Sequence, residues 1–179
     1  MKTNPWVRGL MLLLLISLAL WIGRSKTYSF TPDTTFTTIT GEQIALKTLR
    51  GKPVLVTFWA TSCASCVEEI PHLIALYNRF HAQGFEIVAI TMTYDPPSHV
   101  VAMTKERKLP YHVVLDITSE HAKAFGHIWA TPTTLLISPD GTIAKREVGA
   151  FDPTEMETRI EHLLKSTSNS PSPFGRRLG

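Results

Sequence analysis

Apolar runs alternate with amphipathic stretches along this chain, and turn residues separate them. The runs 54–59 and 85–91 are apolar on both faces, which is typical of central strands covered by helices. Between them, apolar positions from 67 to 80 recur with the helical period. Further strands are predicted at 113–116, 134–137 and 143–148, and further helices at 98–108, 119–125 and 153–165. This order predicts an α/β fold with a mixed central sheet and helices on both faces.

Turn signals add two hairpins and a helix start. Segments 36–39 and 44–46 flank Thr40-Gly41-Glu42-Gln43, which predicts a small amino-terminal hairpin. Ser138-Pro139-Asp140-Gly141 predicts a second hairpin between the last two strands. Asp152-Pro153-Thr154-Glu155 combines a capping Asp, a proline at the first helical position and a reciprocal Glu. The final helix is therefore expected to begin there.

The amino terminus carries an apolar run over residues 9–23, with Lys2 and Arg8 before it and Arg24 and Lys26 after it. With its flanking cations reaching towards the membrane surfaces, the run is long enough to cross a bilayer. No small-x-small cleavage motif follows it. We therefore expect an uncleaved signal anchor over residues 1–26 in the inner membrane; a cleaved signal peptide is the alternative.

The rest of the chain divides by composition. Residues 27–35 are rich in Ser and Thr and are expected to form a linker, and 36–165 form the folded domain. Residues 166–179, dominated by Ser, Pro, Asn and Gly, are expected to be disordered. The protein is thus expected to be a single-pass membrane protein whose domain faces the periplasm or another extracytoplasmic side.

Composition and charge exclude several classes. In 179 residues, 44% are hydrophobic and 18% charged, which excludes general disorder. The net charge of +3 comes from scattered Lys and Arg, so no nucleic-acid partner is expected. Two cysteines cannot form a disulfide framework or an all-cysteine zinc site. The pair is therefore redox-active or half of a mixed metal site.

These two cysteines, Cys63 and Cys66, lie where the strand 54–59 gives way to the helix. Unpaired N–H groups at a helix start favour an anion, so a cysteine there readily forms a thiolate. Helical spacing points Cys66 inward with Ile70 and leaves Cys63 at the exposed start. Glu69 borders the same face as Cys66. The pattern indicates thiol–disulfide chemistry.

The surrounding motifs resemble one family. The chain has Phe58-Trp59-Ala60 before the cysteines, Glu69-Ile70-Pro71 after them and Thr131-Pro132-Thr133-Thr134 further along. Over about residues 36–165 it resembles the membrane-anchored thioredoxin-like proteins of the TlpA/ResA group. The resemblance implies a thioredoxin fold with an amino-terminal hairpin and a central β-α insertion at about residues 85–110. It also implies a cis peptide bond at Pro132, beside the cysteine pair.

Two positions depart from thioredoxin itself. Thr57 occupies the place of a buried aspartate, and Ser62 replaces the tryptophan that precedes the first cysteine. Glu69, in the Glu-x-Pro position of the resembled family, is the candidate replacement for the missing acid. Trp59 and Trp129 are expected to frame the site.

From the cysteine pair we expect a thiol–disulfide mechanism without cofactor or metal. Cys63 attacks a disulfide in a substrate protein, and Cys66 then resolves the mixed disulfide and leaves a Cys63–Cys66 disulfide. Glu69 accepts the proton of Cys66. Trp59, Pro132 and the backbone of Thr131 are expected to contact the substrate.

The partners follow from the same resemblance. Electrons are expected from a transmembrane thiol electron donor, and the substrates in the resembled family include apocytochrome c cysteines and copper-site cysteines. Within this class a disulfide oxidase or isomerase stays open.

Other classes are less favoured. Soft thiolates suit Cu(I), so a copper chaperone that uses both cysteines and a distant histidine is the second class. The seven histidines do not cluster at metal-ligand spacing. A peroxiredoxin-type peroxidase is disfavoured, because that group has Thr where this chain has Ala60.

Overall fold

The computed structural model describes Trp6 and residues 30–168. The predicted anchor run 9–23, the first part of the predicted linker and nearly all of the predicted tail lie outside the described residues. Within the described residues no helix is both long enough and apolar enough to span a membrane.

An antiparallel hairpin of β1 (Thr35–Thr37) and β2 (Gln43–Ala45) opens the domain, as predicted. Its register places Phe36 opposite Ile44, and both side chains are buried. Hydrogen bonds to the domain begin before residue 36, where the domain was predicted to start. The N–H and Oγ1 of Thr31 both donate to the carbonyl of Gly141 at 3.1 Å, which ties the end of the expected linker to the domain.

Five further strands form the central sheet. They are β3 (Val54–Trp59), β4 (Glu86–Thr91), β5 (His112–Leu115), β6 (Thr133–Ile137) and β7 (Ile143–Val148). Their order across the sheet is β5-β4-β3-β6-β7. β3, β4 and β5 are parallel, whereas β6 is antiparallel to β3 and β7 to β6. Every residue of β3 and β4 is buried, as their two-sided apolar sequence predicted.

Four helices connect or follow these strands: α1 (Ala64–Phe80), α2 (Pro97–Glu106), α3 (Glu120–Ala124) and α4 (Pro153–Ser168). β4 and α2 form the β-α unit expected at about 85–110. α4 begins as predicted, since Oδ1 of Asp152 accepts the Glu155 N–H at 2.8 Å, but it continues past the expected domain end at 165.

The sheet separates two apolar clusters. On one face Leu55, Ile87 and Leu136 pack with residues of α1 and α4. On the other face, Val56 and Leu135 pack with the hairpin and α3. Successive strand residues point to opposite faces, so each strand supplies both clusters. Helices therefore cover both faces, and the predicted α/β fold class is confirmed.

Candidate active site at the Cys63–Cys66 disulfide

Cys63 and Cys66 occupy the junction between β3 and α1. Cys63 is extended (φ −89°, ψ 107°) and caps α1, because its Sγ accepts the backbone N–H of Cys66 at 3.3 Å. The two residues form a disulfide, with Cα atoms 5.2 Å apart. The N–H of Cys63 donates to the carbonyl of Ala60 at 3.1 Å. The local sequence thus places the first sulfur directly at the helix start.

The two sulfurs lie in different surroundings. Cys66 is only 3% exposed and packs in the core with Ile70. Cys63 is half-buried, and the Oγ of Ser65 lies 3.5 Å from its Sγ. The positive end of the α1 dipole favours a thiolate at Cys63 when the disulfide is reduced. Cys63 is therefore the sulfur that a partner can reach, as the helical spacing predicted.

Glu69 lies one turn after Cys66 on the buried face of α1. Its side chain is 5% exposed, so it is not an ordinary surface carboxylate. Oε1 accepts the backbone N–H of Phe151 at 2.8 Å. Burial raises the pKa of Glu69 to about 7, partly offset by the hydrogen bond from Phe151. A carboxyl group with this pKa can take up or release a proton near neutrality.

The position of the missing aspartate is filled by a hydroxyl pair. Oγ1 of Thr57 on β3 lies 3.0 Å from Oγ1 of Thr134 on β6, and both side chains are buried. The two hydroxyls satisfy each other and carry no titratable proton in the physiological range. The buried acid near the cysteine pair is thus Glu69, which follows Cys66 on α1.

Of the two tryptophans expected to frame the site, only one is at the surface. Trp59 is 4% exposed and belongs to the same core cluster as Cys66, so it offers almost no surface to a substrate. Trp129 is 84% exposed and lies two residues before Thr131. Packing of the last residue of β3 against α1 explains the burial of Trp59.

The Thr131–Pro132 bond is cis, as the resemblance implied. β3 and β6 are antiparallel and pair Phe58 with Thr133, so the cis bond just before Thr133 lies at the end of the sheet where β3 leads into the cysteine loop. Thr131 is half-buried, and within the described residues no backbone hydrogen bond uses its N–H or C=O. Its Oγ1 lies 3.4 Å from the hydroxyl of Tyr94. The backbone of Thr131 is free to pair with another strand.

Asp95 also belongs to this site, although no pattern in the sequence singled it out. Its buried carboxylate accepts two hydrogen bonds from Thr61, two residues before Cys63. A signal for this contact was present, because Asp95 follows β4 as Thr61 follows β3, and neighbouring parallel strands end at the same sheet edge.

The described part of the chain contains no group of three or more His, Cys, Asp or Glu side chains arranged to hold a metal ion. The Cu(I) alternative uses both cysteines and a distant histidine, and residues 30–168 do not bring these three side chains together.

Comparison with known proteins agrees with this geometry. The Redoxin family model matches residues 26–164. The chain belongs to the Redoxin family. Thiol-disulfide oxidoreductase ResA of Halalkalibacterium halodurans is 35% identical over 125 residues, which cover 70% of this chain and 69% of that protein. This Redoxin-family chain is thus a ResA-like thiol–disulfide oxidoreductase.

Solved structures show the same fold. A putative thioredoxin from Neisseria meningitidis has a TM-score of 0.73 and 27% identity, covering 82% of this chain and 97% of that one. A thiol:disulfide interchange protein from Chlorobium tepidum TLS has a TM-score of 0.71 and 25% identity, covering 78% and 99%. The thioredoxin fold implied by the motifs is confirmed.

Proposed function

We propose that this Redoxin-family chain is a reductase of protein disulfides outside the cytoplasm. The observation that carries the proposal is the buried acid Glu69 one turn after the buried Cys66. A strongly oxidising pair is one whose reduced form is stabilised. An acid near Cys66 does not stabilise a thiolate there, whereas it can remove the Cys66 proton when the substrate is released. This arrangement favours donation of electrons.

The reaction begins at Cys63. Its thiolate attacks one sulfur of a substrate disulfide, a Cys63–substrate bond forms, and the substrate sulfur that leaves takes a proton from water. Cys66 then gives its proton to Glu69 and attacks the Sγ of Cys63. The mixed disulfide breaks, and the second substrate sulfur leaves as a thiolate that takes a proton from water. Two electrons pass from the cysteine pair to the substrate, and the Cys63–Cys66 disulfide remains.

The substrate segment is proposed to bind along the cis-proline loop. The free N–H and C=O of Thr131 would pair with an extended substrate strand, while Pro132, which has no N–H, leaves the approach to Cys63 open. This placement brings a substrate disulfide to the half-buried sulfur rather than to Cys66.

The cellular setting is part of the proposal. The apolar run 9–23 would anchor the chain in the inner membrane, with its domain in the periplasm or on another extracytoplasmic side. A reductase there needs electrons from a transmembrane thiol donor. Cysteines of apocytochrome c or of a copper site are the proposed substrates, as the resemblance to the TlpA/ResA group implies.

Trapping tests the assignment of the two sulfurs. Cys66→Ser should accumulate mixed disulfides with substrate proteins in cells, because Cys63 can attack but the complex cannot be resolved. Cys63→Ser, the matched control, should accumulate none. Trapping only by Cys63→Ser would reverse the roles of the two sulfurs. Equal trapping by both variants would contradict the assignment of one attacking sulfur.

The reduction potential tests the direction. A value near that of thioredoxin, about −270 mV, is expected for a reductase, whereas a value near that of DsbA, about −120 mV, would assign an oxidase. The location is tested by labelling Cys63 in intact cells with a membrane-impermeant maleimide after mild reduction. Labelling only after cell lysis would contradict an extracytoplasmic domain.

A further inference from the structure

The turn after β4 reaches the loop that carries the redox pair. β3 and β4 are parallel neighbours, and the N–H of Met92 donates to the carbonyl of Trp59 at 3.1 Å just past their ends. The segments that follow, 60–63 and 92–96, therefore leave the sheet side by side. The first contains the approach to Cys63, and the second contains Asp95.

Asp95 binds this loop with both carboxylate oxygens. Oδ2 accepts the backbone N–H of Thr61 at 2.7 Å, and Oδ1 accepts its Oγ1–H at 2.5 Å. The side chain is only 5% exposed. Hydrogen bonds to an ionised acceptor are shorter and stronger than neutral ones. Because the Cys63 N–H is bonded to Ala60, the two contacts at Thr61 hold the middle of a short segment whose end is Cys63.

Asp95 does not serve the helix that follows it. It lies directly before Pro96, the residue that caps α2, and α2 has no side-chain hydrogen bond at its cap. Asp116, another buried aspartate, lies after β5 and does bind the first turn of the helix that follows it, by accepting the N–H groups of His121 and Ala122. A buried carboxylate is costly unless it is well bonded, and among the described residues Thr61 is the one partner of the Asp95 side chain. Its contacts therefore serve the cysteine loop.

We propose that Asp95 is a positioning residue for the reaction of Cys63, an inference that rests on the proposed thiol–disulfide chemistry. When the disulfide is reduced, the covalent link between Cys63 and Cys66 is absent. The bonds from Asp95 then keep the loop, and with it the thiolate, at the start of α1. A displacement of about 1 Å in a reacting group can cost about 100-fold in rate.

The test compares the reduced wild-type protein with three variants. Asp95→Ala removes both bonds to Thr61, and we expect mixed-disulfide formation with a disulfide-bonded peptide to slow about 10- to 100-fold. Asp95→Asn should restore most of the rate, because its amide oxygen can accept the N–H and its amide N–H can donate to the hydroxyl oxygen. Asp116→Ala, the matched control, should lower stability through α3 but leave the rate per folded molecule unchanged.

A fourth variant, at Thr61, and a second measurement separate the positioning of Cys63 from a general loss of stability. Thr61→Val removes only the hydroxyl donor, so it should give part of the loss, and combining it with Asp95→Ala should add nothing further. The pH profile of Cys63 alkylation should shift in Asp95→Ala and not in Asp116→Ala. If Asp95→Ala matches Asp116→Ala in both rate and profile, the proposal is overturned. If the wild type itself exchanges no disulfide, the proposed function fails with it.

Discussion

Replacing Glu69 by Gln tests whether burial controls a proton in the site. The glutamine side chain keeps an oxygen that can accept the Phe151 N–H, but it cannot ionise. Burial raises the pKa of Glu69 from 4.5 to about 7 in the folded protein. Glu69 therefore binds a proton more tightly in the folded protein than in the unfolded chain. This difference contributes fully to the free energy of unfolding below about pH 4.5, and the contribution is lost as the pH rises to about 7.

The magnitude follows from the two pKa values. At about 1.4 kcal/mol for each tenfold change in proton affinity, the rise from 4.5 to about 7 corresponds to about 3 kcal/mol. Glu69→Gln and the wild type should therefore differ little in free energy of unfolding at pH 4. At pH 8 the variant should be more stable by about 3 kcal/mol. Urea denaturation of the oxidised protein at both pH values measures this directly, because no cysteine titrates in that form.

Glu69→Gln should also lower the activity. Without an acceptor for the Cys66 proton, release of the mixed disulfide at pH 7 should slow about 100-fold, while the first attack by Cys63 is unaffected. Glu68→Gln is the matched control, since Glu68 is the exposed neighbour on α1. A stability difference that is the same at pH 4 and pH 8, or an equal effect of Glu68→Gln, would refute the reasoning.

Two further changes test the packing around the site. Thr57→Val leaves the Thr134 hydroxyl buried without its partner, and should lower the free energy of unfolding in urea by about 1–3 kcal/mol. The double change Thr57→Val and Thr134→Val should be nearly neutral. If the effects of the two single changes simply add, the two hydroxyls do not stabilise each other. Asp152→Ala removes the cap on the Glu155 N–H and should cost about 1 kcal/mol, most of it recovered in Asp152→Asn. Equal stability of Asp152→Ala and the wild type would show that the cap adds nothing.

The sequence alone predicted the features that depend on neighbouring residues. Two-sided apolar runs indicated buried strands, and β3 and β4 have every residue buried. The strand–helix junction assigned the outer and inner sulfur, because Cys63 stands at the exposed helix start whereas Cys66 shares the apolar face of the helix with Ile70. The quoted motifs were enough to identify the thioredoxin fold and to expect a cis bond before Pro132.

Tertiary structure alone decided which groups are buried and what they contact. Helical spacing put Glu69 beside an apolar face, but only the fold shows that its carboxyl group is buried, that burial raises its pKa, and that it accepts the N–H of Phe151, 82 residues away. The burial of Trp59 and the bond between Asp95 and Thr61 likewise depend on how separate segments meet at the sheet edge. Periodicity reports which face of an element is apolar and carries no information on which distant segment covers it. For that reason the cysteines and Glu69 could be found in the sequence, while the contacts made by Phe151 and Asp95 appeared only in the fold.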